Sequence, residues 1–172
     1  MLSDIGNENQ KSEFTNKRYS YIVAVQMNKK QQKRLVEIKK MLSSKGLKIT
    51  PQRIAVYIAA TKTKSHPSAE SVFKTISKDN PFISFDTVNR SLITFAQKGI
   101  LNIVEGYSAA RFYDHVLEEH HHYRCIKCNT LIDCHYRPYN NLPVPDDVPD
   151  KFKIKNKKVI IEGVCKNCQN KK

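Results

Sequence analysis

Two pairs of cysteines, Cys125/Cys128 and Cys165/Cys168, each enclosing two residues, are the part of this sequence whose spacing is most specific for chemistry. A C-x-x-C turn presents two thiolates on one side of a tight loop. Two such turns brought together give the closed tetrahedral set that Zn2+ accepts. A redox dithiol explains one pair and leaves the other idle. Thirty-six residues separate the pairs, more than a simple zinc ribbon uses, so the second must return from a separate strand. Zinc held there would contribute folding energy outright in so small a unit. Cys134 fits neither pair and is expected as a half-buried strand residue. An odd cysteine count without a secretory signal argues against a disulfide framework.

Directly before the first pair runs "DHVLEEHHHYRC", Asp114 to Cys125. In an extended segment alternate side chains share a face, so His120 and His122 can address one ion while His121 points away and takes no part. Asp114 and, beyond the first pair, Asp133 offer carboxylates. A mixed nitrogen and oxygen set of this kind suits Fe2+ or Mn2+ as well as Zn2+, whereas four thiolates select zinc. A histidine run alone is more often a solvated loop; what singles this one out is its place beside a zinc-fixed strand. A non-haem metalloenzyme built on His120, His122 and Asp133 would need a substrate pocket, and no substrate motif accompanies them.

The elements that must hold these groups fall into two kinds. Leu35, Ile38 and Leu42 mark one face of a helix that stops at Gly46. "ITPQRIAVYIAA" offers Thr50 as N-cap and Pro51 at the first helical position, where its missing N–H costs nothing. "HPSAESVFKTIS" repeats the signature, with Ser68 as cap and Val72, Phe73 and Ile76 as a buried stripe. "SFDTVNRSLITFAQKG" starts at Ser84, turns Val88, Leu92 and Phe95 inward and ends at Gly99. After Gly99 the period changes, and "ILNIVEGYSAARFYDH" reads as two short strands around residues 106–110, the hairpin or wing that often follows a recognition helix. From Asp114 on, "HYRCIKC", "TLIDCHY" and "KKVIIEGVC" read as strands, and "RPYNNLPVPDDVPD" between them as a loop.

Charge points the same way. The 172 residues carry a net charge of +14, and between Met27 and Ile100 fifteen Lys/Arg face four Asp/Glu. Such a surplus gathers polyanions and makes their binding salt-dependent. No apolar run approaches the ~18 residues of a membrane helix. "YIVAV" at 21–25 is too short for a signal peptide and lacks a cleavage site, so the expected location is the cytoplasm. Residues 1–26 have no convincing period, which fits a disordered tail and equally a start at Met27. The expected organisation is α+β: this tail, a winged helix-turn-helix DNA-binding domain over 27–113, and a small metal-binding domain over 114–172.

Taken together, "GLKITPQRIAV", "HPSAESVF", the S-x-x-TV-x-R-x-L of Ser84–Leu92, "KGI", "EEHHHYRCIKC" and "GVCKNC" resemble the ferric uptake regulator (Fur) family over about residues 35–170. "IDCHY" at Ile132–Tyr136 resembles its peroxide-sensing (PerR) branch. The resemblance implies a winged-helix domain, a hinge and an α/β dimerisation domain in a homodimeric, metal-dependent transcriptional repressor rather than an enzyme. Cys125, Cys128, Cys165 and Cys168 match the family's structural zinc ligands. His66, His120, His122 and Asp133 match its regulatory Fe2+ or Mn2+ ligands, and peroxide would oxidise His66 or His120. The fifth ligand is offset, because "RFYD" carries one residue more than the family pattern. Counting back from the histidines selects Asp114, counting forward from Arg111 selects Tyr113. Asp114 is taken, since Tyr is a poor ligand for a divalent ion at neutral pH.

The expected target is a pseudo-palindromic double-stranded DNA operator, met by Lys48, Arg53, Thr87, Asn89 and Arg90. Asn89 stands where the family usually has Tyr, and Asp86 where it has a small residue. Asn can pair bidentately with adenine, while Asp repels phosphate. The Pro-rich 137–150 segment replaces what is normally a dimerisation helix. Iron- or zinc-uptake control are the other functions the family offers.

Overall fold

Helix α1 (Lys29–Ser44) opens on Asn28, whose side chain accepts the Gln31 N–H at 2.9 Å while the Gln31 side chain accepts the Asn28 N–H at 3.0 Å. This reciprocal box satisfies two amides that the first turn otherwise leaves unpaired. Ile38 and Leu42 are buried and Leu35 only half-buried. Gly46, at φ +71°, ends the run in the left-handed region that a side chain would strain. The computed structural model describes residues 28–62, 66–105, 111–149 and 152–170, so the expected tail lies outside the described residues. The chain divides into two compact units, Met1–Thr50 and Pro51–Lys172, and α1 belongs to the first. The boundary expected at 113/114 falls inside the second unit.

In that second unit α2 (Pro51–Ala60), α3 (Ala69–Ile76) and α4 (Phe85–Gln97) pack pairwise around Val56, Ala60, Val72, Ile76, Val88, Leu92 and Phe95. Ser68 and Ser84 cap α3 and α4 as expected, each accepting a backbone N–H three residues on at 3.2 Å. Phe95 is fully buried and meets Tyr57 edge-on at 6.1 Å. Phe73 departs from the expected stripe: it is half-buried and packs edge-on against Phe85 at 5.8 Å. An eight-residue helix has only two turns, and Val72 and Ile76 alone fill its inward line. Gly99, at φ +62°, turns the chain out of α4. The antiparallel hairpin β1 (Asn102–Glu105) and β2 (Arg111–Asp114) follows, its turn at 106–110 lying outside the described residues. Tyr113 N–H bonds to Pro67 O at 3.0 Å, which fastens the hairpin to the segment carrying His66.

A three-stranded sheet holds the rest, in the order β4 (Leu131–Cys134), β3 (His121–Cys125), β5 (Ile160–Gly163). β3 pairs antiparallel with β4 and parallel with β5. The parallel pair obliges residues 135–159 to cross from one edge to the other. The 137–150 stretch expected as a loop holds, among its described residues, a 3-10 turn at Arg137–Asn141, with Pro138 in its first positions, where the missing N–H is harmless. Cys134 is not half-buried but 3% exposed; it pairs across the sheet with His121, which is itself buried. Helix α5 (Lys166–Gln169) closes the chain. No described helix is long and apolar enough to cross a membrane.

Phe95→Ala is expected to cost about 3–5 kcal/mol, because the whole ring leaves a filled site. Phe82, which is 97% exposed, is the control, and its replacement by Ala should stay within about 0.5 kcal/mol. Urea unfolding at constant zinc measures both.

Candidate metal centres

The first C-x-x-C sits at the β3–β4 turn. Cys125 ends β3, Asn129 takes a left-handed φ of +56°, and Cys125 N–H bonds to Thr130 O at 3.0 Å, so the loop folds back over both thiols. The second pair follows β5 and brackets the start of α5, Cys168 N–H bonding to Cys165 O at 2.9 Å. Parallel pairing of β3 with β5 sets Cys125 beside Gly163, and Ile126 N–H reaches Gly163 O at 2.9 Å. The four sulfurs then lie within 4.8 Å of one another. Cys165 N–H points at the Cys125 sulfur at 3.3 Å.

Electrostatics show that these thiols cannot all ionise unaided. Backbone N–H groups, that of Cys165 first, bring the Cys125 thiol down to about 6. The neighbouring sulfurs, Cys128 first and then Cys165, push Cys168 up to about 12. A divalent cation removes the conflict, since thiolate is the ligand form and metal binding displaces the proton. The residues fit Zn2+.

The second cluster is assembled from four places. His66 precedes α3, Asp114 ends β2, His120 and His122 flank the start of β3, and Asp133 lies on β4 directly opposite His122. His66 Nε2 lies 3.1 Å from Asp133 Oδ1, 3.1 Å from His122 Nε2 and 3.5 Å from Asp114 Oδ2. His120 Nε2 is 2.9 Å from Asp114 Oδ2 and 3.7 Å from Asp133 Oδ1, and His122 Nε2 is 3.8 Å from Asp114 Oδ2. Donor atoms of His66, His120, His122 and Asp133 all fall within 4.8 Å of one another.

Two backbone groups orient this set, and neither leaves a trace in the sequence, because any residue supplies them. Glu118 O takes the Nδ1 proton of His120 at 2.8 Å, leaving the Nε2 lone pair facing the cluster. Val116 N–H bonds to Asp114 Oδ1 at 2.8 Å, turning Oδ2 inward. Asp114 Oδ2, Asp133 Oδ1 and His120 Nε2 are buried and satisfied by no hydrogen bond. Each such orphan costs about 1–3 kcal/mol, and a central cation with bonds of about 2 Å would meet all of them. The residues fit a divalent ion that accepts nitrogen and oxygen donors.

The charges ask for a cation as well. Burial disfavours the His66 imidazolium, but the adjoining carboxylates, Asp114 first and then Asp133, outweigh it and raise its pKa. Burial would raise the Asp114 pKa, but His122, His66 and the Val116 amide hold that carboxyl well below the usual range.

Strand alternation turns the neighbours Tyr113 and Asp114 to opposite faces of β2. Asp114 points into the histidine cluster, whereas Tyr113 points to the opposite face of β2 and lines a cavity with Ser68, Phe85, Asn89 and Arg111. His121, expected to point away, is 1% exposed: its Nε2 lies 2.8 Å from Asn140 Oδ1, outside the donor cluster.

Of the five residues expected at DNA, Lys48 belongs to the first unit and Arg53, Thr87, Asn89 and Arg90 to the second. Lys48 is exposed in the first unit, and Arg53 is half-buried in α2. On α4, Thr87 bonds to the Ser84 hydroxyl at 2.9 Å, and Asn89 is half-buried along the cavity that Tyr113 lines. Arg90 is exposed and paired with Asp86 at 2.8 Å, one helical turn earlier. Phosphate would have to compete with that carboxylate, although an exposed pair of this kind is worth only about 0.3–0.5 kcal/mol.

The chain is similar to known proteins in sequence and in fold. The description "Ferric uptake regulator family" matches residues 44–162. The peroxide-responsive repressor PerR of Staphylococcus saprophyticus is 31% identical over 131 residues, spanning 76% of this chain and 88% of that protein. In fold, the chain is similar to the Helicobacter pylori ferric uptake regulator Fur, reported with three functional metal binding sites (TM-score 0.60, 20% identity, 81% of this chain and 94% of that one). It is also similar to a zinc uptake regulator complexed with zinc and DNA (TM-score 0.57, 16% identity, 83% and 97%). The matched model spans more than half of the sequence, and the family is one of transcriptional regulators rather than enzymes. This chain belongs to the ferric uptake regulator family.

Proposed function

We propose that this chain is a metal-dependent, DNA-binding transcriptional repressor that responds to peroxide through Fe2+ or Mn2+ held by His66, Asp114, His120, His122 and Asp133. The observation that carries the reading is the convergence of five buried donor atoms from four separate segments. The printed name of the 31% identical relative supports the peroxide response. Cys125, Cys128, Cys165 and Cys168 would hold a structural Zn2+, fastening the returning strand to β3.

In this reading residues 27–113 are the DNA-binding domain and 114–172 the dimerisation domain of a cytoplasmic homodimer. The sheet offers a face for the second copy: Tyr123 of β3 stands in register with Ile132 on one side and Ile161 on the other, and Tyr123 and Ile132 are 45% and 51% exposed. A pseudo-palindromic operator would follow from the two-fold axis.

The regulatory ion supplies a cross-link between segments and, as Fe2+, the electrons that split peroxide. The chain's residues do the rest. His66 stands just before α3, the helix packed on α4, and the other donors lie on β2, β3 and β4. Holding all of them together favours one placement of α4 relative to the sheet. A ligand that prefers this state shifts the population towards it, and by linkage metal and DNA strengthen each other's binding. His66 and His120 offer ring carbons beside the site for oxygen insertion. Iron- or zinc-uptake control is the second reading, favoured by the cluster's tolerance of either metal.

His66→Ala should abolish the metal-dependent gain in promoter affinity, an expected loss of about 5–150-fold by fluorescence anisotropy with and without Mn2+, while zinc content stays unchanged. Promoter binding that is indifferent to the second metal overturns the reading. Mild peroxide on the Fe2+ form should add one oxygen to His66 or His120 by mass spectrometry; an unmodified protein that still responds to iron selects uptake control. Cys168→Ser should lose zinc and the cooperative thermal transition together, since binding energies of structural zinc reach about 10–16 kcal/mol.

A further inference from the structure

His121 lies between two residues of the proposed regulatory set, yet both of its ring nitrogens face elsewhere and both are partnered. Val159 N–H donates to Nδ1 at 3.2 Å, so the ring proton sits on Nε2, which donates to Asn140 Oδ1 at 2.8 Å. The ring is 1% exposed and meets Tyr139 edge-on at 5.5 Å. A neutral imidazole with one donor and one acceptor is fully used by this arrangement and has no lone pair left for a metal.

The two partners come from different parts of the crossing between β4 and β5. Asn140 belongs to the 3-10 turn, and Val159 is the residue that leads into β5. Val159 is held twice, because its carbonyl accepts the His122 N–H at 3.1 Å. A separate bond, Lys157 Nζ to Leu142 O at 2.6 Å, ties the same two stretches together. The start of β3 is therefore clamped, on the side away from the donor cluster, by Asn140 of the 3-10 turn and by Val159.

We propose that His121 is a positioning residue, a strut that fixes the start of β3 against Asn140 and Val159 so that His120 and His122 present their Nε2 atoms to the regulatory ion. The inference rests on the regulatory site proposed above. Strand alternation makes the reason physical: rotation of β3 by a slip of this clamp would turn His120 and His122 together, since neighbouring side chains are rigidly opposed on one backbone. The Pro-rich crossing thereby sets the affinity of a site to which it contributes no ligand.

The test uses the full chain loaded with zinc and takes Mn2+ as probe, its free concentration read by electron paramagnetic resonance. Asn140→Ala removes the acceptor of the Nε2 proton, Asn140→Asp retains it, and His121→Asn keeps an acceptor for Val159 N–H while losing the reach to Asn140. Asn140→Ala and His121→Asn are each expected to weaken Mn2+ binding about tenfold, the scale of outer-shell partners, with zinc content unchanged. Asn140→Asp should restore wild-type affinity, which a merely packed side chain would not do. Nitrogen NMR should find the His121 proton on Nε2. Unchanged Mn2+ affinity in both variants overturns the strut while the site stands. Joint loss of zinc and Mn2+ without rescue by Asp overturns it as general unfolding. A third equivalent of metal lost in His121→Asn overturns it by making His121 a ligand. Wild-type protein that keeps zinc but takes up no Mn2+ overturns the regulatory reading and the strut with it.

Discussion

Three imidazoles and two carboxylates point their lone pairs at one another across 2.9–3.8 Å in a largely buried space. Hydrogen bonds cannot satisfy such a set, because it holds acceptors in excess of protons at neutral pH. Burying polar atoms without partners is costly, and only a positive charge at the centre relieves all of them together. The surrounding architecture follows from that constraint. The hairpin must end where Asp114 faces inward, the segment before α3 must lie against it, and β3 and β4 must pair so that His122 and Asp133 stand opposite each other.

The four-cysteine cluster gives this arrangement a fixed base. β5 is a four-residue parallel strand, and a strand so short has little pairing energy of its own. Its place beside β3 is reinforced at one end by the sulfurs of Cys125, Cys128, Cys165 and Cys168, and at the other by Val159. The strand between them carries His122 at its second position. Two kinds of donor set are thus kept apart: soft thiolates suited to zinc, and harder nitrogen and oxygen donors that could hold a second ion.

Much of this was legible in the residues. Gly46 and Gly99 end their helices, Ser68 and Ser84 cap theirs, and Pro51 opens α2, because these features depend on a few neighbouring dihedrals and amides. The C-x-x-C spacing and the alternation of His120 with His122 are equally local. Less was legible for Cys134, expected half-buried and found buried. The same holds for the 3-10 turn Arg137–Asn141, which meets His121, nineteen residues away in sequence, through Asn140. On the helical side, the cavity that Asn89 lines with Ser68 and Arg111 joins segments far apart in sequence and so leaves no local signal.

The sequence by itself determined the donor types, the helix ends and the pairing of cysteines into two turns, all of which are properties of short stretches. Only the tertiary structure shows Asp114 facing the histidines and Tyr113 facing away, since one residue of offset in a strand reverses the face and the chain alone does not say which face meets them. It alone also gave His121 partners, for Asn140 and Val159 lie nineteen and thirty-eight residues away and reach it only once β3 and β5 run side by side.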